Sequence, residues 1–302
     1  MICNMRYSAD EITWAAQLAS IIEVCSEKPG NVHINQSFKD ANPLDFFAGA
    51  VAIGPVFQRI EDLSVGDIVL KGVESRSKLS STNVNLGILL LLAPLAKASV
   101  KCESGYGTCA IKDSLKGVLD ELSEDDAVAV FRAIRWSNAG GIGYVDRYDV
   151  REDPQGITLL EAMYLAQERD SIAKEYVTNF AITFEVSLPS LKGALDRGAT
   201  LCDAIVHTFL VILAEIPDTL IARKLGFNEA REVSKKAFEA IKRGSIYTLS
   251  GREAIKDLDC YLRDEKHARN PGTTADLTVS GLFLFFLDSI RCGTVSSYLG
   301  RW

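Results

Sequence analysis

Strand-like alternation of apolar and polar residues is nearly absent from this 302-residue chain, which also has only 8 prolines, 3 histidines, no Cys-x-x-Cys pair and no run of Lys or Arg. Each absence excludes something. Without period-two patterning there are no strands from which to build a sandwich or a parallel sheet. Without clustered cations, and at a formal net charge of −7, a nucleic-acid groove has no electrostatic footprint. The seven cysteines (Cys3, Cys25, Cys102, Cys109, Cys202, Cys260 and Cys292) are odd in number and widely spread, and read as buried thiols in a reducing cytosol. The N-terminal MICNMRYSADEITW lacks the basic-then-apolar profile of a signal peptide. The most apolar stretch, LGILLLLAPLA from Leu86 to Ala96, is about half a membrane span and contains Pro94, so it reads as a core helix. The expectation is a cytoplasmic protein with no membrane or nucleic-acid partner.

Helical spacing is what remains. Ile12, Ala15, Ala16, Ala19 and Ile22 share one helix face, as do Phe46, Ala50, Ile53, Phe57 and Ile60. Capping boxes are written at Ser8 with Glu11, Thr158 with Glu161 and Ser250 with Glu253, and Asn42-Pro43 followed by Asp45 marks a further helix start. The pattern predicts helices over 8–26, 43–61, 64–79, 83–98, 108–121, 123–137, 157–183, 187–196, 198–214, 217–225, 228–243, 250–265 and 273–291. This is an all-α, single-domain multi-helical bundle over 1–302, with no fixed-length repeat and no linker. Its largest non-helical connection is the glycine-rich segment Asn138 to Asp153, and loops of that length are often functional.

Four polar clusters fall at helix boundaries: KPGNVH with Asp40 and Asp45, SSTNVNLG from Ser80, EIPDTLIARKLG from Glu215, and RNPGTTADL from Arg269. Helix capping is the ordinary account of each taken singly. Lys28 and the pair Arg223-Lys224 supply charge that caps do not need, and free amides beside small residues suit phosphate. Acids beside such amides also suit Mg²⁺, held by one or two carboxylates and phosphate oxygens. His207 lies on an apolar helix and reads as a hydrogen-bonded core residue, whereas His33 and His267 are better placed. No zinc-protease, P-loop, serine-hydrolase or dinucleotide motif is present.

Taken in order, KPGNVH with FKD and DF, TNVNLG, the PDT and KLG segment, and NPGTTADL resemble the triphosphoribosyl-dephospho-CoA synthase family, from about Ala15 to Leu287. The resemblance implies an all-helical transferase that joins ATP to dephospho-CoA with loss of adenine. A ribose hydroxyl of the acceptor would attack the anomeric carbon of ATP, through an oxocarbenium-like centre served by acid and base carboxylates. On the family's motifs lie Lys28, Pro29, Gly30 and Asn31, then Asp45, then Asp218, Thr219 and Gly226, and finally Pro271, Gly272, Ala275 and Asp276. We expect Asp45, Asp218 and Asp276 to be catalytic, and Asp45, Asp276 and Asp40 to hold Mg²⁺. Lys28, Gly30, Asn31, His33, Thr82, Asn83, Asn85, Arg223, Gly272, Thr273 and Thr274 are expected to contact substrate or phosphate.

One departure concerns the acceptor. Where bacterial members read G-L-N-T-H-K-G this chain reads STNVNLG, a form similar to the archaeal branch, and the His-Lys pair is missing. That implies a different acceptor, a different nucleotide orientation, or compensation by Lys78 or Lys101. Partners are then ATP with dephospho-CoA or a related nucleotide-containing acceptor, and a homodimer is allowed. Two other readings are a nucleotide-binding regulator that has lost the reaction and a helical scaffold. A scaffold would scatter the polar clusters, whereas a transferase would bring Lys28, Asp45, Asn83, Asp218 and Asp276 to one cleft.

Overall fold

The computed structural model describes residues 6–102, 107–137, 140, 143–145 and 147–300, and among these it contains fifteen α-helices and no β-strand. Helices α1 (Ala9–Cys25), α2 (Pro43–Phe57), α3 (Val65–Ser77) and α4 (Leu86–Lys101) come first, followed by α5 (Thr108–Asp120) and α6 (Glu124–Ser137). Short α7 (Leu159–Ala166), α8 (Ser171–Val177), a π-helical turn (Ile182–Ser187) and α9 (Leu188–Asp196) occupy the middle. The last third holds α10 (Leu201–Glu215), α11 (Thr219–Leu225), α12 (Phe227–Lys242), α13 (Leu249–Leu262), α14 (Gly272–Arg291) and α15 (Val295–Leu299). Cys3 and part of the 138–153 connection lie outside the described residues.

Local chemistry sets most of these boundaries. The boxes at Ser8 and Thr158 form, and Asn42 caps α2 with Pro43 in the first turn. The box expected at Ser250 does not: Thr248 caps α13 instead, its hydroxyl accepting from Gly251 N at 3.0 Å. The single helix expected over 157–183 is broken twice. Asp170 caps α8 by accepting from Ile172 N, and Asn179 and Phe180 take left-handed backbone angles. The carboxylate of Glu175 then accepts from Ile182 N at 2.9 Å and from Thr183 N at 2.7 Å, satisfying the donors of the π-helical turn that the break leaves open.

Helix α14 runs through the middle of the molecule against α1, α4, α10 and the π-helical turn. It is apolar on all sides, and its Thr278 and Ser289 hydroxyls fold back onto the carbonyls of Thr274 and Phe285, each at 2.8 Å. It is also the one described helix long and apolar enough by itself to cross a membrane, with 83% of its apolar window buried inside the fold. A fully buried core helix has that composition. Helix α4, which contains the LGILLLLAPLA run, is buried along nearly its whole length. A second apolar cluster (Phe209, Leu213, Ile221, Val233 and Leu258) joins α10 to α11, α12 and α13, so α10 serves both cores. The expectation of buried thiols holds for Cys102 but not for Cys109, Cys260 and Cys292, which are exposed; all six described cysteines are free.

The KPGN turn after α1 is fixed against α13. Gly30 has φ +72°, its N–H donates to Asp259 Oδ1 at 2.7 Å, and a Cβ there would enter the space of the Leu262 side chain. Gly30→Ala is therefore expected to lower the unfolding free energy by about 1–3 kcal/mol from backbone strain and overpacking. The readout is a lower urea midpoint at unchanged slope; an unchanged midpoint would show that this turn is not clamped.

Candidate active site

Several of the helix starts open onto one cavity of about 930 Å³. Its wall takes Asn85 to Ile88 from the start of α4, and Gly272, Thr273, Asp276 and Val279 from α14, a spacing that puts all four on one helix face. Two loops complete it, with Phe38 and Asp40 on one and His267 and Asn270 on the other. Amide groups at helix starts carry partial positive charge, so the geometry favours an anionic ligand.

The carboxyl of Asp276 occupies the space where a Cβ of residue 87 would stand, which is why that position is glycine. It makes no hydrogen bond to a described residue. Burial away from water raises its pKa well above the usual carboxylate range, and repulsion from Glu23, Asp218 and Asp170 adds to this while Arg223 opposes it. Asp276 thus holds its proton more tightly than an ordinary carboxyl and faces the cavity.

Buried polar atoms without partners point to the same place. Among the described residues, Asn83 Oδ1, both amide atoms of Asn85, His267 Nδ1 and Asn270 Oδ1 belong to residues on the cavity wall. Folded proteins leave few such groups unsatisfied. A polar ligand would satisfy them.

Of the residues expected to contact ligand, Asn31, Asp40, Thr82, Asn83, Asn85, Arg223, Gly272, Thr273 and Asp276 line the cavity. Lys28, Gly30, His33, Asp45, Asp218 and Thr274 do not, so of the five residues expected at one cleft only Asn83 and Asp276 meet there. Lys28 is 0% exposed, and its ammonium is turned inward to Glu23 Oε1 at 3.1 Å and to the carbonyls of Glu23 and Ser26 at 2.6 and 3.1 Å. His33 is held between Asn35 N and the Arg263 guanidinium. Asp45 caps α2 and accepts from Ser80 Oγ at 2.7 Å, which removes it from the proposed metal ligands. Asp218, 1% exposed, accepts from Leu220 N, Ile221 N, Thr274 N and Thr274 Oγ1 at 2.8–3.0 Å. It ties the starts of α11 and α14 together and does not reach the ligand space.

The sequence reading missed Glu23, Arg169 and Asp170, which lay inside helices expected to be continuous, and gave no site role to Lys224, Lys266, His267 or Asn270. Arg223 pairs with Asp170 at 2.6 Å. The compensation expected from Lys78 or Lys101 is not there: Lys78 caps the end of α3, and Lys101 pairs with Glu121 at the far end of α4.

Fold and site define an all-helical protein built around a cavity lined by helix starts, with a carboxyl of raised pKa in its wall. The model of the ATP:dephospho-CoA triphosphoribosyl transferase family matches residues 9–294, and the chain belongs to that family. A curated relative from Malonomonas rubra, assigned as a 2-(5''-triphosphoribosyl)-3'-dephosphocoenzyme-A synthase, is 23% identical over 96% of this chain and 93% of its own length. The synthase of that name from Klebsiella pneumoniae is 27% identical over 33% of this chain and 35% of its own. A crystal structure assigned as a triphosphoribosyl-dephospho-CoA synthase from Archaeoglobus fulgidus matches with a TM-score of 0.61 at 30% identity, covering 78% of this chain and 96% of that one. The chain is thus a member of a transferase family with the all-α fold.

Because the folded pKa of Asp276 is raised, the stability tied to its protonated form is fully present at acid pH and is lost as pH rises through the folded value. Asp276→Asn, which cannot ionise, is expected to match the wild type in thermal midpoint near pH 4 and to exceed it near pH 8. Midpoints that run parallel across that range would show that Asp276 ionises freely.

Proposed function

We propose that this chain transfers the 5-triphosphoribosyl group of ATP to a ribose hydroxyl of dephospho-CoA and releases adenine. Asp276 carries the reading: it is a partly buried carboxyl of raised pKa, without a hydrogen bond to a described residue and opening on the cavity, in a chain matched to the family over residues 9–294. As the bond between the anomeric carbon and adenine breaks, its electron pair moves onto the base, and Asp276 gives that base a proton. The acceptor hydroxyl closes on the oxocarbenium-like carbon and loses its own proton. Asp170, oriented by Arg223 and close enough to Asp276 to repel it, takes that proton, so none is gained or lost overall.

Asn83 and Asn85 supply the unpartnered amides for ribose hydroxyls, and the start of α4 together with Thr273 N of α14 supplies N–H groups for phosphate. Mg²⁺ suits the substrate. No group of three acid, His or Cys side chains converges among the described residues, so a cage made of protein alone does not fit. Asp40 stands on the cavity wall, which fits an ion held by one carboxylate and triphosphate oxygens. Bound there, Mg²⁺ would neutralise triphosphate charge. The free thiols support a cytoplasmic location.

The test is adenine release from ATP, Mg²⁺ and dephospho-CoA, followed by chromatography and mass spectrometry. Wild type is expected to yield adenine and a triphosphoribosylated product, and Asp276→Asn to slow release by about 10²–10⁴-fold, the usual worth of a general acid, while still binding ATP. Adenine only with another alcohol would replace the acceptor. Full activity in Asp276→Asn would remove the assigned acid.

A further inference from the structure

We propose that Lys224, Lys266 and His267 form a phosphoryl-binding subsite at one end of the cavity, restoring from two other segments the cationic and imidazole groups that the loop before α4 lacks. That its ligand is the triphosphate of ATP rests on the function proposed above; the subsite itself rests on geometry. The His267 ring stacks on Phe38, with centroids 3.9 Å apart and 17° between planes, and both residues line the cavity. Lys39 N–H points at His267 Nε2 at 3.5 Å, a long bond that makes Nε2 the acceptor and leaves the proton of the neutral ring on Nδ1. Nδ1–H is buried and donates to nothing. An unmade buried hydrogen bond of this kind is costly, so its persistence marks a donor held for a ligand acceptor.

The loop bearing this donor is already fixed. Asp264 accepts from the amides of Lys266, Ala268 and Arg269 at 2.9–3.1 Å, and His267 takes a left-handed φ of +49° within that grip. Lys224 reaches across from α11 and donates to the His267 carbonyl at 3.3 Å. Its ammonium has no carboxylate partner in ion-pair contact, and lost hydration lowers its pKa despite attraction from Asp218, Asp264 and Asp40. Lys266 projects from the same loop, exposed and, among the described residues, without an ion pair or side-chain hydrogen bond. Two unpaired ammonium groups and a buried N–H donor against one cavity end define an anion with several acceptor oxygens.

The test uses the full chain and inorganic tripolyphosphate, with binding followed by calorimetry. Lys224→Ala and His267→Asn, the latter chosen because asparagine tolerates the left-handed backbone, are each expected to weaken binding by about tenfold or more, the worth of a hydrogen bond to a charged group. Lys266→Ala removes an exposed side chain, cannot plausibly unfold the chain, and should weaken binding several-fold. Equal affinity in all three variants, or no tripolyphosphate binding by the wild type, would overturn the subsite. Lys224-dependent binding without adenine release would uphold it and reject the transferase reading. Adenine release with an ATP KM untouched by Lys224→Ala would do the reverse.

Discussion

The Asp218 carboxylate is the constraint on which the site depends. Fully enclosed, it takes four hydrogen bonds from the starts of α11 and α14, two helices that otherwise meet through few side chains. Burial raises its pKa even so, which shows that desolvation outweighs the four donors. The arrangement survives because those donors would themselves be orphaned without it. By fixing the first turn of α14, Asp218 sets where Thr273 and Asp276 face, and by fixing α11 it sets where Arg223 and Lys224 reach. It shapes the chemistry without touching the ligand.

A second buried charge does comparable work on the opposite wall. Lys28 neutralises Glu23 deep in the core, and removing one member of such a pair costs about 3–5 kcal/mol because the other is left uncompensated. The K-P-G segment is therefore a structural anchor twice over: its lysine pairs inward and its glycine docks on α13. What the pair brings to the cavity wall is the Glu23 carboxyl, whose charge adds to the upward shift of the Asp276 pKa.

Fold class and most helix starts were legible because capping chemistry is local: Ser8 with Glu11 and Asn42 with Pro43 specify their turns within four residues. The break at Asp170 was hidden, since an aspartate inside an apolar-periodic stretch reads as surface until its side chain is seen to cap α8. Polar clusters marked the right helix ends but not which atoms face inward. Lys28 and Asp45 looked like ligands because charge at a loop does, yet an ammonium can turn to a carbonyl and a carboxylate to its own helix start, and sequence spacing distinguishes neither. His267 was legible as a histidine better placed than His207, but not as part of the cavity wall. Its stacking on Phe38 joins positions 229 apart in sequence, and no local pattern carries that.

The position of Asp276 sets helix dipoles against desolvation. Its carboxyl lies against the first turn of α4 and near the start of its own helix, and each such terminus favours an anion by about 0.3–1 kcal/mol. Taking a carboxylate out of water costs several kcal/mol, and the acids Glu23, Asp218 and Asp170 add repulsion. The dipoles lose, so Asp276 holds its proton more tightly than an ordinary carboxyl. A bound ligand that brings positive charge, whether a metal ion or a developing oxocarbenium, shifts the same balance toward the carboxylate. The proton then leaves at the step where positive charge appears on the sugar.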